Sequence, residues 1–529
     1  DVKSGRELRN FTGHTGWVTA VALSNTGRYL VTGSTDRIVR LWDMQSLRGS
    51  RDFVGHTNDI NAVTFINDEQ YLLTASSDGT SRIWEVATGK ELCRLISLEG
   101  NDWAAVSPDG RFDTNNLDNL SGLHWTASDD PFTPLPLEIF MRDYYEPNLL
   151  ARLLAGEKMK PVRDLKSLNR TQPQISNLQV AAPDADGMVT VTVEVANQRS
   201  ATQRDRNGKP FESGVHDLRL FRDGQLVGHK EGEVELVNGK NRIPFRVRLP
   251  RIADKQSVVF SAYAFNSDRV KSKTVRVQHK LSSTLQPVKG RAYVITFSAN
   301  AYENPAIKDL RYSVNDGRQV QSNLVRQLAA SGDFAEVVGV PLVSDYVIRL
   351  DGRVISAADA SNAVPQHGRK EVTEKSLIKA NVKAVFDLLA GKSVTAAQRA
   401  AIPNADKLRP ARPEDLIIIH ISGHGYADRD GQFYLPTYDI GANSSFDEML
   451  RRSVSSDELS LWLSDVDAGD MTLIVDACQS AASVTGGDFK PGPMGSRGLG
   501  QLAYDKGMRV LAATQADNVA LGHGTIKQG

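Results

Sequence analysis

One histidine and one cysteine stand where two apolar segments end, and together they have the chemistry to cleave an acyl bond. Leu416–Ile421 runs into Ser-Gly-His424-Gly, and Met471–Val475 runs into Asp-Ala-Cys478-Gln-Ser. A thiol with an ordinary pKa of about 8.5 is only slightly ionised at neutral pH, so a neighbouring imidazole must take its proton or stabilise the thiolate. The two motifs predict a thiol nucleophile and its base.

The elements that must position this pair alternate between strands and helices from Arg291 onward. Strands are predicted at Tyr293–Phe297, Ala335–Leu342, Leu416–Ser422, Met471–Val475 and Met508–Ala513, and helices at Arg311–Ala330, Lys375–Leu389 and Ser455–Val466. Continuous apolar strands that alternate with helices are typical of a mostly parallel sheet covered on both faces. Ligands bind at the carboxyl ends of such strands. We therefore expect His424 and Cys478 at one edge, with the N–H groups of Gly425 and Cys478 pointing at one oxyanion.

Each of the two residues, taken alone, also has a structural explanation. A single cysteine after a strand is commonly a small buried hydrophobe, and a single histidine is commonly a core residue with satisfied hydrogen bonds. Their joint placement at two strand ends, among small residues, favours the catalytic interpretation.

The two motifs resemble the His and Cys motifs of caspase-like cysteine peptidases, especially metacaspases and their bacterial relatives. The resemblance covers roughly Gly290 to the C-terminus and includes Tyr293–Ala299 and Leu310–Asp316. It implies that His424 is the general base and acid, that Cys478 is the nucleophile, and that an amide is hydrolysed through a thioester acyl-enzyme.

The resemblance also implies cleavage after basic residues. Metacaspases carry an acidic residue two places before the cysteine and cut after Arg or Lys, and this chain has Asp476 at that place. A buried carboxylate there would pair with a guanidinium or ammonium group. Asp517 is a second candidate for the pocket wall. For both carboxylates, the alternative is a structural role, such as capping of local backbone N–H groups by Asp476.

A glycine- and proline-rich stretch, Thr485–Gly500, lies where caspases carry their interdomain linker. Its composition favours proteolysis. If specificity is for basic residues, Lys490, Arg497 and Lys506 are candidate self-cleavage sites of a zymogen. The alternative is a loop that shapes the pocket.

Acidic residues also cluster in this region, but without the regular spacing of an EF-hand loop. Solvated acids at turns explain them, so neither a metal nor another cofactor is predicted, although the resemblance leaves calcium activation open. The clustered residues are Asp428, Asp430, Asp439, Asp465, Asp467 and Asp470.

The N-terminal segment repeats with a period of 42 residues, within the roughly 40–45 of a propeller blade. It resembles the WD-repeat family over about 125 residues. The histidine, aspartate and tryptophan of each copy are expected to share a buried hydrogen-bond chain, and the propeller surface to bind a protein partner. A third copy, Trp103 followed by Ser107–Gly110, decays. The recurring positions are Gly13-His14 and Gly55-His56, Asp36 and Asp78, and Trp42-Asp43 and Trp84-Glu85.

Residues 126–172 are predicted to form a helical linker, with one helix over Pro147–Glu157. Residues 173–285 are predicted to form an immunoglobulin-like β-sandwich, because short alternating strands and turn residues recur there. The polar insertion Arg199–Gly208 is expected to be an exposed hairpin or loop. The predicted strands are Ile175–Val180, Met188–Val195, Val215–Phe221, Arg242–Leu249, Ser257–Phe265 and Lys273–His279.

The amino-acid composition argues against several classes of function. The chain has 529 residues, with 63 basic and 63 acidic side chains, and this zero net charge argues against a wholesale nucleic-acid binder. Two distant cysteines exclude a disulfide framework, and no stretch approaches the roughly 18 apolar residues of a membrane span. Because the chain begins at Asp1 without Met or signal peptide, we expect it to start inside a longer protein. The expected compartment is the cytoplasm.

The sequence therefore predicts a multidomain protein: an incomplete WD-repeat β-propeller over 1–125, a linker, a β-sandwich, and a caspase-like α/β domain over 286–529. The predicted function is that of a cysteine endopeptidase acting on protein or peptide substrates, with the propeller and sandwich as recognition modules. The alternative is a catalytically silent WD-repeat interaction scaffold, against which the intact His424 and Cys478 count. A transferase on the same α/β frame is a further alternative.

Overall fold

The structure is a computed structural model that describes the chain except for residues 2, 8, 46–48, 118–119, 147, 157–158, 160, 185, 282–285, 360–367, 428–432, 479–505 and 513–529. The chain divides into two compact units, Asp1–Asp164 and Leu165–Gly529. Among the described residues, no helix has both the length and the apolar character to cross a membrane.

The first unit opens with two antiparallel sheets, each built from one 42-residue repeat. The first sheet has the order β1-β2-β3-β4, and in the second the strands β5, β6, β7 and β8 follow one another in the same way. The predicted blade-like arrangement of strands is thus confirmed for both complete repeats. The strands are β1 (Val18–Leu23), β2 (Tyr29–Ser34), β3 (Ile38–Asp43), β4 (Gly49–Val54), β5 (Ile60–Ile66), β6 (Tyr71–Ser76), β7 (Thr80–Glu85), β8 (Glu91–Ser97), β9 (Trp103–Val106) and β10 (Phe112–Thr114).

The decaying third copy does not start a third sheet. Strand β9 pairs with β8, the outer strand of the second sheet, and β10 pairs with β9, so that this sheet has six strands. A blade needs four strands of its own, and the third copy supplies only two. Adding both to an existing edge satisfies their backbone groups, which an isolated hairpin could not do alone.

The predicted helical linker differs from the structure. It begins with a hairpin of β11 (His124–Ala127) and β12 (Asp130–Pro136), and its helices are short: α1 (Met141–Tyr144) and α2 (Leu149–Leu154). Single 3₁₀ turns occur at Glu99–Asn101, Leu137–Phe140 and Leu165–Ser167. Helix α2 packs against β8, β9 and β10. Residues up to 164 therefore belong to the first unit rather than to a free linker.

The second unit begins with two antiparallel sheets, β13-β14-β19 and β18-β17-β20-β21. They share one apolar core, to which β14 contributes Val189, Val191, Val193 and Val195 from alternate positions. The strands are β13 (Gln174–Val180), β14 (Met188–Ala196), β15 (Arg199–Arg204), β16 (Pro210–Glu212), β17 (His216–Arg222), β18 (Gln225–Glu233), β19 (Lys240–Arg248), β20 (Ser257–Phe265) and β21 (Val275–Lys280).

A sandwich of two sheets was predicted here, and the polar insertion forms a separate hairpin of β15 and β16. Strand β18 was not predicted, because its apolar side chains, Leu226 and Val227, are adjacent rather than alternating, and the rest of the strand is polar or glycine. The finer assignment to the immunoglobulin-like class stays a prediction.

The α/β part of this unit is built on five parallel strands in the order β23-β22-β26-β30-β31. The predicted mostly parallel sheet is confirmed. The strands are β22 (Arg291–Ala299), β23 (Glu336–Leu350), β24 (Arg353–Ser356), β25 (Arg369–Lys375), β26 (Leu416–His424), β27 (Tyr426–Ala427), β28 (Phe433–Leu435), β29 (Val454–Ser455), β30 (Asp470–Cys478) and β31 (Arg509–Ala512).

Helices cover both faces of this sheet. Helix α3 packs on β22, β23 and β26, whereas α4 and α7 contribute to the core beneath the opposite face. The predicted capping box at the start of α7 is present, since Ser455 accepts from the Glu458 N–H and Glu458 accepts from the Ser455 N–H. The helices are α3 (Ser313–Ser331), α4 (Lys379–Leu389), α5 (Ala396–Ala401), α6 (Phe446–Arg452) and α7 (Ser456–Ser464).

The sandwich docks at the amino ends of the parallel strands. Arg222, at the end of β17, is buried and donates to Asp467 at 2.8 Å, three residues before β30. Gln225 donates to the carbonyl of Gly469, directly before β30. The sandwich is thus joined to the sheet at the end opposite to the edge where His424 and Cys478 lie.

Candidate functional site

Strands β26 and β30 bring the two predicted catalytic residues to one edge. They are parallel neighbours, and their register pairs Ser422 with Asp476 and His424 with Cys478. Neighbouring strands lie about 4.8 Å apart, so the backbones of His424 and Cys478 are adjacent. The strand order also reverses between β22 and β26, and such a switch point is where open α/β sheets bind ligands.

His424 is fixed by a carbonyl group. Its side chain is buried, and Nε2 lies 2.7 Å from the carbonyl oxygen of Lys308. Since a carbonyl oxygen only accepts, Nε2 carries the hydrogen and donates it. In the neutral imidazole, Nδ1 is then the basic nitrogen. The histidine is held in a tautomer that can accept a proton at Nδ1.

A tyrosine that sequence reasoning missed also contacts His424. The ring of Tyr302 stacks on the imidazole with centroids 5.2 Å apart and planes inclined by 29°. Its hydroxyl oxygen accepts the backbone N–H of His424 at 3.0 Å. Tyr302 lies three residues beyond β22, and nothing in the local sequence pattern distinguishes it from other tyrosines of the chain.

Asp476 lies beside Ser422 in the register of the two strands. The carboxyl is partly withdrawn from water, and this partial burial raises its pKa. From the described residues, no hydrogen bond or ion pair reaches the Asp476 carboxylate, so the capping alternative finds no support there. A partly buried carboxylate that meets no partner among the described residues favours a cationic ligand.

The glycine after His424 keeps the strand ends close. A Cβ atom on Gly425 would lie 2.6 Å from the Phe433 ring and 3.0 Å from the Cβ of Ala477. A side chain at this position would therefore push β30 and β28 away from the end of β26. The roles of the Gly425 and Cys478 N–H groups as oxyanion donors stay a prediction, and the side chain of Cys478 lies outside the described part.

One candidate self-cleavage site is corrected by the structure. Lys506 is 1% exposed, and its ammonium group donates to the carbonyls of Leu226, Ser464 and Val466 at 2.9–3.0 Å. A peptidase cannot reach this side chain in the folded chain. The other two candidates, Lys490 and Arg497, and the second pocket candidate, Asp517, lie outside the described residues.

The acidic residues that were expected to be solvated are mostly paired. Asp465 accepts from Lys392, and Asp470 accepts from Arg509. Asp439 accepts from the Lys379 N–H and from a threonine hydroxyl. Within the described ranges, no group of three or more metal-binding side chains is found, while Asp428 and Asp430 lie outside them.

The two complete repeats of the first unit contain identical hydrogen-bond chains. In the second, Trp84 Nε1 donates to Thr74 Oγ1 at 2.9 Å, Thr74 Oγ1 contacts His56 Nε2 at 2.8 Å, and His56 Nδ1 contacts Asp78 at 2.8 Å. The predicted chain is confirmed, and the threonine between histidine and tryptophan is an addition to it. The first repeat joins Trp42, Thr32, His14 and Asp36 in the same way, over 2.8–2.9 Å.

These hydrogen-bond chains have a structural rather than a catalytic role. Burial lowers the pKa of His56, which is therefore neutral and donates from Nδ1 to Asp78. Burial raises the pKa of Asp78, but hydrogen bonds from Thr80, the Thr57 N–H and His56 outweigh burial and lower it overall. Each chain thus connects the start of its blade to the third strand through satisfied buried groups.

The profile of the family "WD domain, G-beta repeat" matches residues 5–43 and 48–85. These two segments are WD repeats. Within known proteins, Pre-mRNA-processing factor 19 homolog 2 of Arabidopsis thaliana is 50% identical over 48 residues, which are 9% of this chain and 9% of that protein. The chain thus covers under a tenth of that relative's length.

Solved structures with similar parts include a WD40 domain. The structure of U3-55K shares 23% identity over 21% of this chain and 40% of that chain, with a TM-score of 0.18. The C-terminal WD40 domain of Sif2 shares 23% identity over 20% of this chain and 32% of that chain, with a TM-score of 0.15. The computationally designed Ika4 protein shares 19% identity over 39% of this chain and 97% of that chain, with a TM-score of 0.16.

Proposed function

We propose that the chain is a WD-repeat protein-interaction protein whose α/β part is a cysteine peptidase. The WD repeats support the interaction role, because such repeats typically bind other proteins. The family match ends at residue 85, so the peptidase has a different support. That support is one observation, the shared register of His424 and Cys478 at the carboxyl ends of two adjacent parallel strands.

The geometry fits a thioester mechanism. His424 Nδ1 takes the thiol proton of Cys478, and the thiolate attacks the carbonyl carbon of the scissile amide. The tetrahedral oxyanion collapses as the imidazolium gives its proton to the leaving amine, which leaves a thioester on Cys478. Water, deprotonated by His424, then hydrolyses the thioester and regenerates the thiol.

Asp476 supports a preference for substrates with Arg or Lys before the scissile bond. Its carboxylate lies two residues before Cys478 on the same strand and has no polar partner in the described part of the chain. A guanidinium or ammonium group would supply charge-assisted hydrogen bonds that the described residues do not offer to this partly buried carboxylate.

A catalytically silent scaffold is the second candidate. The WD-repeat matches favour it, because they account for protein binding without any bond cleavage. In that case the register of His424 and Cys478 would be a feature of a structural sheet only.

Fluorogenic peptides that end in Arg, Lys or Asp distinguish the two candidates. They are tested on the full chain, on Cys478→Ala and on Cys93→Ala, each with and without calcium. Cys93 is the matched control, since it is buried in the first unit and burial raises its thiol pKa to about 11. Cleavage after Arg or Lys that is lost in Cys478→Ala and kept in Cys93→Ala supports the peptidase. Cleavage after Asp would reject the pocket, and no cleavage under any condition would favour the scaffold.

A further inference from the structure

Tyr302 makes two separate contacts with His424. The phenol ring stacks against the imidazole at 5.2 Å, and the hydroxyl oxygen accepts the His424 backbone N–H at 3.0 Å. The side chain is 3% exposed, so both contacts are shielded from water. One tyrosine therefore restrains both the ring and the backbone of the candidate base.

The ring contact supplies a restraint that the Lys308 carbonyl cannot. The hydrogen bond from Nε2 to Lys308 fixes one atom of the imidazole, but it permits the ring plane to turn about the N–H···O axis. A stacked neighbour opposes that rotation, because turning the plane would drive the imidazole edge into the phenol face. Together, the two contacts fix the position of Nδ1.

Tyr302 is itself held in place. Its backbone N–H donates to Asp309 at 3.2 Å, and Asp309 forms an ion pair with Lys370 on β25. The residue opposite the hydroxyl is also small, since a Cβ atom on Gly423 would lie 3.2 Å from the Tyr302 oxygen. Glycine at position 423 thus permits the hydroxyl to approach the backbone of β26.

We infer that Tyr302 is a positioning residue for His424, which keeps the imidazole in one orientation at the edge where β30 ends with Cys478. This inference rests on the proposed peptidase function. Tyr302 does not touch a reacting atom; its role is to hold the base, so that proton transfer from the thiol needs no reorientation of the ring.

The test compares Tyr302→Phe, Tyr302→Leu and the control Tyr312→Leu, all in a Cys93→Ala background. Two quantities are measured from pH 4 to pH 10: kcat/KM for an Arg peptide, and the rate of Cys478 alkylation by iodoacetamide. Tyr302→Phe keeps the stacked ring and should lose about tenfold in kcat/KM, the effect of one lost hydrogen bond. Tyr302→Leu loses both contacts and should lose about 100-fold, with alkylation shifted toward the ordinary thiol pKa of about 8.5. Tyr312→Leu should match the parent.

The outcomes separate this inference from the proposed function. If the parent neither cleaves peptides nor alkylates below the ordinary thiol pKa, the peptidase proposal fails, and the role of Tyr302 fails with it. If the parent is active and a folded Tyr302→Leu has the same rate and the same alkylation profile, only the positioning role is wrong. Should Tyr302→Leu not fold, Tyr302→Phe decides, because a rate within twofold of the parent at every pH would overturn the inference.

Discussion

His424 and Cys478 occupy the same register position on two neighbouring parallel strands. Their proximity is a property of the backbone, because it follows from how β26 and β30 pair over nine residues each. Substitutions that change either side chain should therefore leave the sheet intact.

Asp476→Asn should lower kcat/KM for Arg peptides by roughly 10- to 100-fold, since the charge-assisted hydrogen bonds to the substrate are lost. Because burial raises the pKa of Asp476, wild-type selectivity should decline as the pH falls, starting above the ordinary carboxyl range of about 3.9. Asp465→Asn is the control, as this carboxylate is exposed and paired with Lys392. Steady-state kinetics from pH 4 to pH 8 measures both effects, and an unchanged Arg preference in Asp476→Asn would remove this carboxylate from the pocket.

Thr74→Val should destabilise the first unit by about 1–3 kcal/mol, because Trp84 Nε1 and His56 Nε2 would both stay buried without a partner. Thr64→Val is the control: Thr64 lies on β5 with an exposed side chain, and its substitution should change stability by less than about 0.5 kcal/mol. Urea unfolding followed by tryptophan fluorescence measures the difference. Equal midpoints for the two variants would mean that the hydrogen-bond chain contributes nothing to the blade.

His420 should make the second unit sensitive to acid. The ring is buried, Nδ1 has no hydrogen-bond partner among the described residues, and burial lowers its pKa to about 4. Between pH 6.5 and pH 4 the unfolded chain binds this proton and the folded chain does not. Stability therefore falls as the pH decreases through this window, by about 3 kcal/mol in total.

The variant His420→Leu should lack this contribution to the loss of stability at low pH. The measurement is the free energy of unfolding of both proteins from pH 7.5 to pH 4, with the difference between them taken at each pH so that other titrating groups cancel. The difference should grow as the pH falls below 6.5. A constant difference would show that His420 does not carry the acid sensitivity.

Lys506→Met should lower the free energy of unfolding by roughly 3 kcal/mol or more, because two buried carbonyls and one partly buried carbonyl would lose their donor. Lys392→Met is the control, since the Lys392–Asp465 ion pair lies at the surface and should contribute less than about 1 kcal/mol. One of the three carbonyls belongs to β18 of the sandwich, so the joint between sandwich and sheet should also weaken. Protease susceptibility and thermal unfolding measure these effects. Similar losses of stability in both lysine variants would contradict the structural role assigned to Lys506.

Strongly periodic segments could be predicted from the sequence. Ser257–Phe265 was predicted to the residue because alternate apolar positions face one core, and β26 was recognised because its apolar run is continuous. The strand-end placement of His424 and Cys478 follows from the same pattern.

Features that depend on distant partners could not be predicted. Strand β9 pairs with β8 rather than with a strand of its own blade, and this pairing depends on tertiary contacts. Strand β25 is a charged edge strand without apolar alternation, so its sequence does not indicate a strand. Tyr302 and Lys308 lie more than 100 positions before His424, and only the folded sheet brings them to it. Local periodicity contains no information about such contacts.

The attachment of the sandwich has a practical consequence. Its contacts through Arg222 and Gln225 lie at the start of β30, and the nine residues of that strand span about 30 Å. These two contacts of the sandwich are therefore remote from the edge with His424 and Cys478, so substitutions of Arg222 or Gln225 should leave that edge unchanged.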